Sequence, residues 1–80
     1  MTITSHAHLR MNERITPMGF NFARKFAKNE IESGVPSFTT FKDGKSKTKV
    51  INNGIIYIVD DTNQCNKVVV TVYLESEYQE

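Results

Sequence analysis

The chain of 80 residues lacks the features of several large classes of protein. Cys65 is its only cysteine, so no disulfide can form within the chain, which fits a reducing compartment. No apolar run approaches the roughly 18 residues that a membrane-spanning helix needs. The first residues, MTITSHAHLR, are polar and predict no secretory signal. We therefore expect a cytoplasmic protein that does not associate with a membrane.

Signatures of metal and cofactor sites are also missing. His6 and His8 are two residues apart, so on a helix they point to different faces, and with Cys65 in the polar stretch NQCN they complete no zinc spacing. The glycines are isolated, so no glycine-rich loop can hold a phosphate. We expect neither a metal nor a small-molecule cofactor.

The chain does contain enough apolar residues for one core. Hydrophobic residues make up 39% of the sequence, including five Phe and three Tyr, which is too apolar for a disordered chain. A chain of this length buries too little surface to support two cores. We predict a single domain over residues 1–80, with residues 1–4 and 75–80 as flexible ends.

Charge is distributed unevenly although the net charge is only +1. Residues 1–50 contain nine Lys and Arg against four acids, whereas residues 51–80 contain Lys67 against five acids. The basic part suits a polyanion as partner, with the acidic end LESEYQE as a counterweight or solubilising tail. The alternative is an ordinary surface, because this excess is modest for a nucleic-acid-binding protein.

Two helices are predicted before Pro36. The first spans residues 5–14 and ends at ITP, because a residue that precedes proline is disfavoured in the α region. The second spans residues 17–33: Thr16 is a good N-cap, proline suits the first helical position, and Gly34 ends the helix.

After Pro36 the apolar period changes to two. The segments SFTTF, KTKVI, IIYIV and KVVVTVYL alternate with the turns KDGK and NNG and the loop DDTNQCN, which predicts four strands. The fold class is therefore α+β, with two N-terminal helices packed on a four-stranded antiparallel β-meander. The residues predicted to be mostly buried are Phe22, Phe26, Ile31, Ile56, Ile58, Val68, Val70 and Val72.

A basic trio stands out in the stretch SHAHLRMNER. On a helix, His6, Arg10 and Arg14 fall at i, i+4 and i+8 and share one face. Histidine titrates near neutral pH and arginine grips phosphate with a rigid fork of donors, so the trio suits a site that holds phosphate and transfers protons. The alternative is three solvated side chains.

Two further sets of residues lie on predicted strands. Lys45, Lys47 and Lys49 alternate and project from one face, which suits a polyanion backbone, although lysines are also a defence of exposed sheet edges. Thr71 and Tyr73 place a hydroxyl and a phenol on one face of the last strand. Each of these two residues alone is more often structural than catalytic.

The stretch HAHLRMNER, an isoleucine–threonine helix start, a helix ending in glycine, and VVVTVY after IIYIVDD together resemble a known family. It is a small domain-of-unknown-function family related to the BrnT and RelE-type ribonuclease toxins, and the likeness covers roughly residues 6–74. The resemblance implies the barnase, EndoU, colicin and RelE-like fold, with N-terminal helices against an antiparallel sheet. The chain departs from the pattern in lacking a glycine between Arg14 and Ile15 and in having His8.

The resemblance also implies a function. The family pattern predicts a metal-independent endoribonuclease of the toxin type, in which the RNA 2′-hydroxyl attacks the phosphate and an inhibitor (antitoxin) protein is a partner. The catalytic candidates are then His6, Arg10, Arg14, Thr71 and Tyr73, and the RNA-binding candidates are Lys45, Lys47 and Lys49. The alternative is a non-catalytic phage or mobile-element module on the same scaffold that binds protein or nucleic acid.

Overall fold

The computed structural model describes residues 1–77. In chain order the elements are β1 (Thr2–Ile3), α1 (Ser5–Arg14), α2 (Phe20–Ser33), β2 (Val35–Lys42), β3 (Lys45–Asn52), β4 (Ile55–Asp60), β5 (Val68–Leu74) and a 3-10 turn (Glu75–Glu77). The predicted α+β class is confirmed. No helix within residues 1–77 is long and apolar enough to cross a bilayer.

The sheet has five strands in the order β1-β5-β4-β3-β2 and is mixed, which corrects the predicted four-stranded meander. Strands β2 to β5 do form an antiparallel meander, but β1 pairs with β5 in parallel. The first residues are too few to show an alternating pattern, so the sequence predicts a flexible end there. Instead Ile3 is buried in the core, and the Thr4 N–H donates to the Val69 carbonyl at 3.0 Å.

Helix α1 has the predicted bounds because its ends are capped locally. The Thr4 hydroxyl accepts a hydrogen bond from the Ala7 N–H at 3.0 Å, which satisfies one of the free donors of the first turn. Ala7 and Met11 are buried against the sheet. The Ile15 N–H donates to the Met11 carbonyl at 2.9 Å and closes the helix.

Helix α2 starts at Phe20 and not at the predicted Pro17. Side chains of α1 bind both backbone groups of Met18, which holds the linker outside the helix. The Met18 N–H donates to Oδ1 of Asn12 at 2.8 Å, and the Met18 carbonyl accepts from Nε2 of His8 at 2.7 Å. These contacts depend on the tertiary arrangement and are not visible in the local sequence.

Two tight turns connect the hairpins as the sequence predicts. Asp43 and Gly44 have φ values of 54° and 76°, and Asn53 and Gly54 have the same pair of values. Two successive residues with positive φ are typical of the type I′ turn, which matches the twist of the flanking strands. The turn fixes the register of β2 against β3.

Small residues of α2, not its phenylalanines, pack closest to the sheet. Ala23 and Ala27 are fully buried, whereas Phe22 is 63% exposed, and Phe26 and Ile31 are partly buried at the rim. The core comprises Ile3, Ala7, Met11, Ala23, Ala27, Val50, Ile55, Tyr57, Val59, Val69 and Val72. The burial predicted for Phe22 is therefore wrong, because the helix approaches the sheet through its alanine stripe.

A β-bulge changes which residues of β5 are buried. Strict alternation predicts that Val68, Val70 and Val72 share the core face. The β4–β5 ladder shifts its register, so that Val69 and Val72, three residues apart, both face the helices and are fully buried. Val68 and Val70 are only partly buried.

Neighbouring residues of β4 are buried on opposite faces. Ile55 and Tyr57 belong to the core under the helices. Ile56 is buried as predicted, at 2% exposure, but it lies on the other face in register with Tyr73. Ile58 is partly buried on that same face, which corrects its predicted place in the core.

Candidate functional site

The sheet face opposite the helices, here called the open face, brings together most of the strand residues that the sequence singles out. The register defines it: Lys49 lies opposite Ile58, and Ile58 lies opposite Thr71. Core residues alternate with these positions, so neither helix lies on this face within residues 1–77. The open face carries Phe38, Thr40, Lys42, Lys45, Lys47, Lys49, Ile58, Thr71 and Tyr73.

The three predicted lysines form a row along β3. Alternate residues of a strand are about 6.7 Å apart. Lys45 and Lys47 are exposed, and Lys49 is partly buried. Lys42 of β2 lies directly opposite Lys45 and extends the row to the neighbouring strand. Like charges directly opposite each other destabilise a sheet, so an anion bound here would relieve a cost of the free protein.

Edge defence does not explain this row. Strand β3 lies between β2 and β4, and the edge of the sheet is β2. Lysines on an interior strand cannot block pairing at the edge. The edge interpretation is therefore wrong for Lys45, Lys47 and Lys49, which leaves a solvated face or an anion-binding face.

The carboxylate of Asp60 lies beside the middle of the row. Asp60 is in register with Lys47. The hydroxyl and backbone N–H of Thr62 hold the pKa of Asp60 below its usual range, and the charges of Lys45 and Lys47 act in the same direction. Asp60 therefore stays ionised at neutral pH and offsets part of the positive potential around Lys47.

A groove follows the lysines across β2 and β3. It has a volume of about 510 Å³ and is lined in part by Phe38, Thr40, Lys47, Lys49 and Ile58. A second depression of about 320 Å³ shares Thr40 and Lys47 with the first and reaches Lys42 and Lys45. The two form a continuous path along the basic part of the open face, which suits an extended ligand.

Arg14 connects α1 to the edge of the open face. Its Nη1 donates to the Val72 carbonyl at 3.3 Å, and its guanidinium carbon lies 5.5 Å from the centre of the Tyr73 ring. Its Nε lies 3.9 Å from Oε2 of Glu77. Two of the five catalytic candidates, Arg14 and Tyr73, thus meet, and Thr71 lies two residues from Tyr73 on the same face.

The other two catalytic candidates stay on α1. Nη1 of Arg10 lies 2.6 Å from Oε1 of Glu13, so its guanidinium is paired within the helix. His6 lies in the first turn of α1 and is exposed. Its side chain makes no hydrogen bond to any other residue within residues 1–77.

His8 has a structural environment. Besides its hydrogen bond to the Met18 carbonyl, its ring lies edge-on to Phe20, with centroids 5.5 Å apart. It holds the linker between α1 and α2 and lies away from the open face. His6, by contrast, is exposed, which agrees with the prediction that the two histidines point to different faces of the helix.

Strand β2 contributes residues to the open face that its sequence pattern does not single out. The type I′ turn places Phe38, Thr40 and Lys42 opposite the lysines of β3. Phe38 is 63% exposed beside Lys49. The turn KDGK is the sequence signal for these residues. A two-residue hairpin loop pairs Lys42 with Lys45 and so places Thr40 and Phe38 beside the next two lysines.

A polar cluster lies on the helix side of the same hairpin. Oδ2 of Asp61 accepts from the Thr48 hydroxyl at 2.6 Å, and the Thr48 and Thr39 hydroxyl oxygens are 3.0 Å apart. This cluster ties the loop after β4 to the sheet. Among residues 1–77, no three His, Cys, Asp or Glu side chains are grouped so that they could hold a metal ion.

Comparison with known proteins adds no assignment. No family model matches the chain, and neither the search of curated proteins nor that of solved structures yields a match. The resemblance to ribonuclease toxins therefore stays a prediction from the sequence. Function has to be argued from the open face and its surroundings.

Proposed function

We propose that the open face binds the backbone of single-stranded nucleic acid, with RNA as the preferred partner. The observation that carries this proposal is the shared face: the lysine row of β3, Lys42 of β2 and the exposed ring of Phe38 line two adjoining depressions that share Thr40 and Lys47. Positive charge along a groove together with an accessible aromatic ring is the combination that non-specific single-strand binders use.

Charge supplies the affinity in this proposal. Lys45, Lys47 and Lys49 are spaced so that their ammonium groups can follow successive phosphates of an extended strand. Ammonium groups are point charges on flexible stems, so they tolerate variation in backbone geometry. Binding should therefore depend little on base sequence and strongly on salt.

The path is suited to a single strand more than to a duplex. Phe38 offers a ring face beside Lys49, where an unpaired base can stack. Bases within a duplex are stacked on each other and cannot use such a ring. Stacking on one aromatic residue contributes about 1–3 kcal/mol per base.

The test is fluorescence anisotropy with labelled single-stranded RNA oligonucleotides of different sequence over a range of salt concentrations. The variant combines Lys45→Gln, Lys47→Gln and Lys49→Gln. We expect weaker binding to every oligonucleotide and a salt slope reduced by roughly 0.7 per lost phosphate contact.

A matched control removes the same number of positive charges from α2, on the other side of the sheet. It combines Arg24→Gln, Lys25→Gln and Lys28→Gln and should keep the slope of the parent. Equal losses in the two triple variants would mean that net charge alone drives binding, and the proposal would then be overturned.

A second candidate is the metal-independent endoribonuclease that the resemblance implies. One observation favours it: the guanidinium carbon of Arg14 lies 5.5 Å from the centre of the Tyr73 ring, so a guanidinium and a phenol lie together at the border of the open face. RNA cleavage through the 2′-hydroxyl needs a proton acceptor, a proton donor and cations around the phosphate. An inhibitor (antitoxin) protein belongs to this second candidate as its partner.

A further inference from the structure

The two edge strands of the sheet differ in how far their backbone groups are covered. At the β5 edge, the short strand β1 covers Val68 and Val69, the Thr4 hydroxyl donates to the Val70 carbonyl at 3.2 Å, and Arg14 donates to the Val72 carbonyl. Side chains thus occupy backbone acceptors that would otherwise be open to another strand. Within residues 1–77, nothing comparable covers β2.

Strand β2 is exposed along its whole length of eight residues. Val35, Phe38 and Phe41 are 68%, 63% and 76% exposed. Exposed edge strands with large apolar side chains are templates for pairing with another strand. Two protective features are present, Pro36 and the register shift between Pro36 and Phe38, but both lie at the start of the strand. The segment Phe38–Lys42 has neither.

The backbone of this segment presents hydrogen-bonding groups to the outside. The Ser46 carbonyl accepts from the Asp61 N–H at 3.0 Å, and the Ser46 N–H donates to the Thr62 hydroxyl, so both groups point away from β2. Phe41, which lies opposite Ser46, therefore directs its own N–H and C=O out of the sheet. Thr39, two residues earlier, does the same.

We propose that β2 pairs with β2 of a second copy of this chain, antiparallel and about a two-fold axis at Thr40. In this register the unprotected segment Phe38–Lys42 pairs with itself. Thr39 of each copy exchanges backbone hydrogen bonds with Phe41 of the other. The proline, the irregular start of the strand and the turn all lie outside the paired segment.

Charge favours antiparallel over parallel pairing of the two β2 strands. Lys42, at the hairpin end, is the charged residue of β2, and the strand has no charge at its other end. Antiparallel pairing in the proposed register places the two Lys42 side chains at opposite ends of the paired segment. Parallel pairing would place the two basic ends together. Lys42 also comes to lie opposite the uncharged Phe38 of the second copy, so like charges do not face each other across the pair.

The dimer should be weak and reversible. A pair of five-residue segments with two phenylalanines each buries less than the roughly 1,200 Å² at which specific, stable interfaces begin. We therefore expect association in the micromolar range. The result is a continuous sheet across both copies. This proposal does not depend on nucleic-acid binding.

Sedimentation equilibrium of the full chain over a wide concentration range, without nucleic acid, tests the proposal. The parent should show a monomer–dimer equilibrium. Phe41→Pro removes the outward N–H, which the monomer does not use, and should weaken association by about tenfold or more. A thermal melt establishes that this variant is folded.

A charge pair tests the register and does not rely on proline. Phe38→Lys places an ammonium group opposite Lys42 of the second copy, whereas Phe38→Glu places a carboxylate there. The Glu variant should dimerise about tenfold or more tightly than the Lys variant, since like charges directly opposite are destabilising. Phe22→Lys, at an equally exposed position of α2, should dimerise as the parent does. A parent that stays monomeric throughout, or equal association of the two Phe38 variants, would overturn the proposal.

Discussion

The Tyr57 phenol donates a hydrogen bond of 3.2 Å to Oε1 of Glu30 and thereby joins the middle strand of the sheet to α2. Oε2 of the same carboxylate accepts from the side-chain amides of Asn52 at 3.1 Å and Asn53 at 3.3 Å. Burial raises the pKa of Tyr57 far above its usual value, and the charge of Glu30 adds to this effect. The phenol therefore remains a donor over the whole physiological range.

Removal of the Glu30 carboxylate should lower the free energy of unfolding more than removal of the Tyr57 hydroxyl does. Glu30→Ala leaves the fully buried Tyr57 hydroxyl without its partner, which should reduce the free energy of unfolding by about 1–3 kcal/mol. Tyr57→Phe deletes the hydrogen bond but leaves Glu30 with two amide donors, so the loss should be about 1 kcal/mol. Urea denaturation of both variants and of the double variant measures this. Strict additivity of the two losses would contradict the coupling.

Gly34 should tolerate no side chain, although its φ of −86° is ordinary. A Cβ atom there would lie 2.7 Å from Cγ1 of Val50, 2.9 Å from the Glu30 carbonyl oxygen and 3.0 Å from the Ile51 carbonyl oxygen. Two of these atoms belong to the backbone and cannot move aside easily. Gly34→Ala should therefore destabilise the protein by about 1–3 kcal/mol, as overpacking does.

Gly19→Ala is the control for that substitution. A Cβ atom at Gly19 meets nothing within 4 Å. The lower entropy of the unfolded chain favours alanine and the N-cap position favours glycine, so the two effects nearly cancel. Thermal denaturation should separate the two variants clearly. Equal stability of the two would show that the junction between α2 and β2 can relax.

Acid should weaken the connection between the loop after β4 and the sheet. Hydrogen bonds from the hydroxyls of Ser46 and Thr48 hold the pKa of Asp61 below its usual value. The folded-state pKa is thus lower than that of the unfolded chain, so the carboxylate contributes stability above the unfolded value of about 3.9. That contribution is lost as the pH falls through the folded-state pKa.

The measurement is the melting temperature of the parent and of Asp61→Asn from neutral pH down to about pH 2. The variant should be less stable at neutral pH and should approach the parent in acid, because its side chain does not titrate. The pKa of Asp60 is lowered as well, so Asp60→Asn measures how much of the loss of stability in acid comes from this neighbouring carboxylate. Parallel curves for parent and Asp61→Asn would contradict the interpretation.

Local signals explain what the sequence predicts correctly. The Thr4 cap lies next to α1, Gly34 ends α2, and the turns at Asp43–Gly44 and Asn53–Gly54 need only two residues each. Each of these is determined by a few neighbouring residues. The α+β class follows from the change of period at Pro36.

Long-range contacts explain what the sequence does not predict. Strand β1 exists because Ile3 reaches Val69, 66 residues later in the chain. The start of α2 depends on side chains of α1 that hold Met18. The β5 bulge depends on how β4 accommodates its neighbour, so strict alternation misplaces Val68 and Val70.

The candidate site was predictable in part. Alternation alone places the three lysines on one face of their strand and Thr71 with Tyr73 on one face of theirs. Only the order of the strands shows that these are the same face of one sheet, because the sequence does not state which strands are neighbours. The contact between Arg14 and Tyr73 depends on where α1 packs against the sheet, which the sequence alone does not show.

The last prediction concerns RNA cleavage and separates the members of the helical trio. If the chain is a ribonuclease, His6→Ala should reduce cleavage by about a hundredfold or more, the usual contribution of a general acid or base. Arg10→Lys and Arg14→Lys should also be costly, since an ammonium cannot reproduce a bidentate grip on phosphate. Cleavage of a labelled RNA should survive a chelator, because no metal takes part in this mechanism.

His8→Ala is the internal control, and its expected effect is on stability. It loses the hydrogen bond to the Met18 carbonyl, so the melting temperature should fall, while cleavage below that temperature should match the parent. Arg14→Lys should act on cleavage more than on stability, because an ammonium can still donate to the Val72 carbonyl. If the parent is inert on every RNA tested, or if His6→Ala and Arg14→Lys both cleave as the parent does, catalysis is excluded. Arg14 and Tyr73 would then only form the border of the open face.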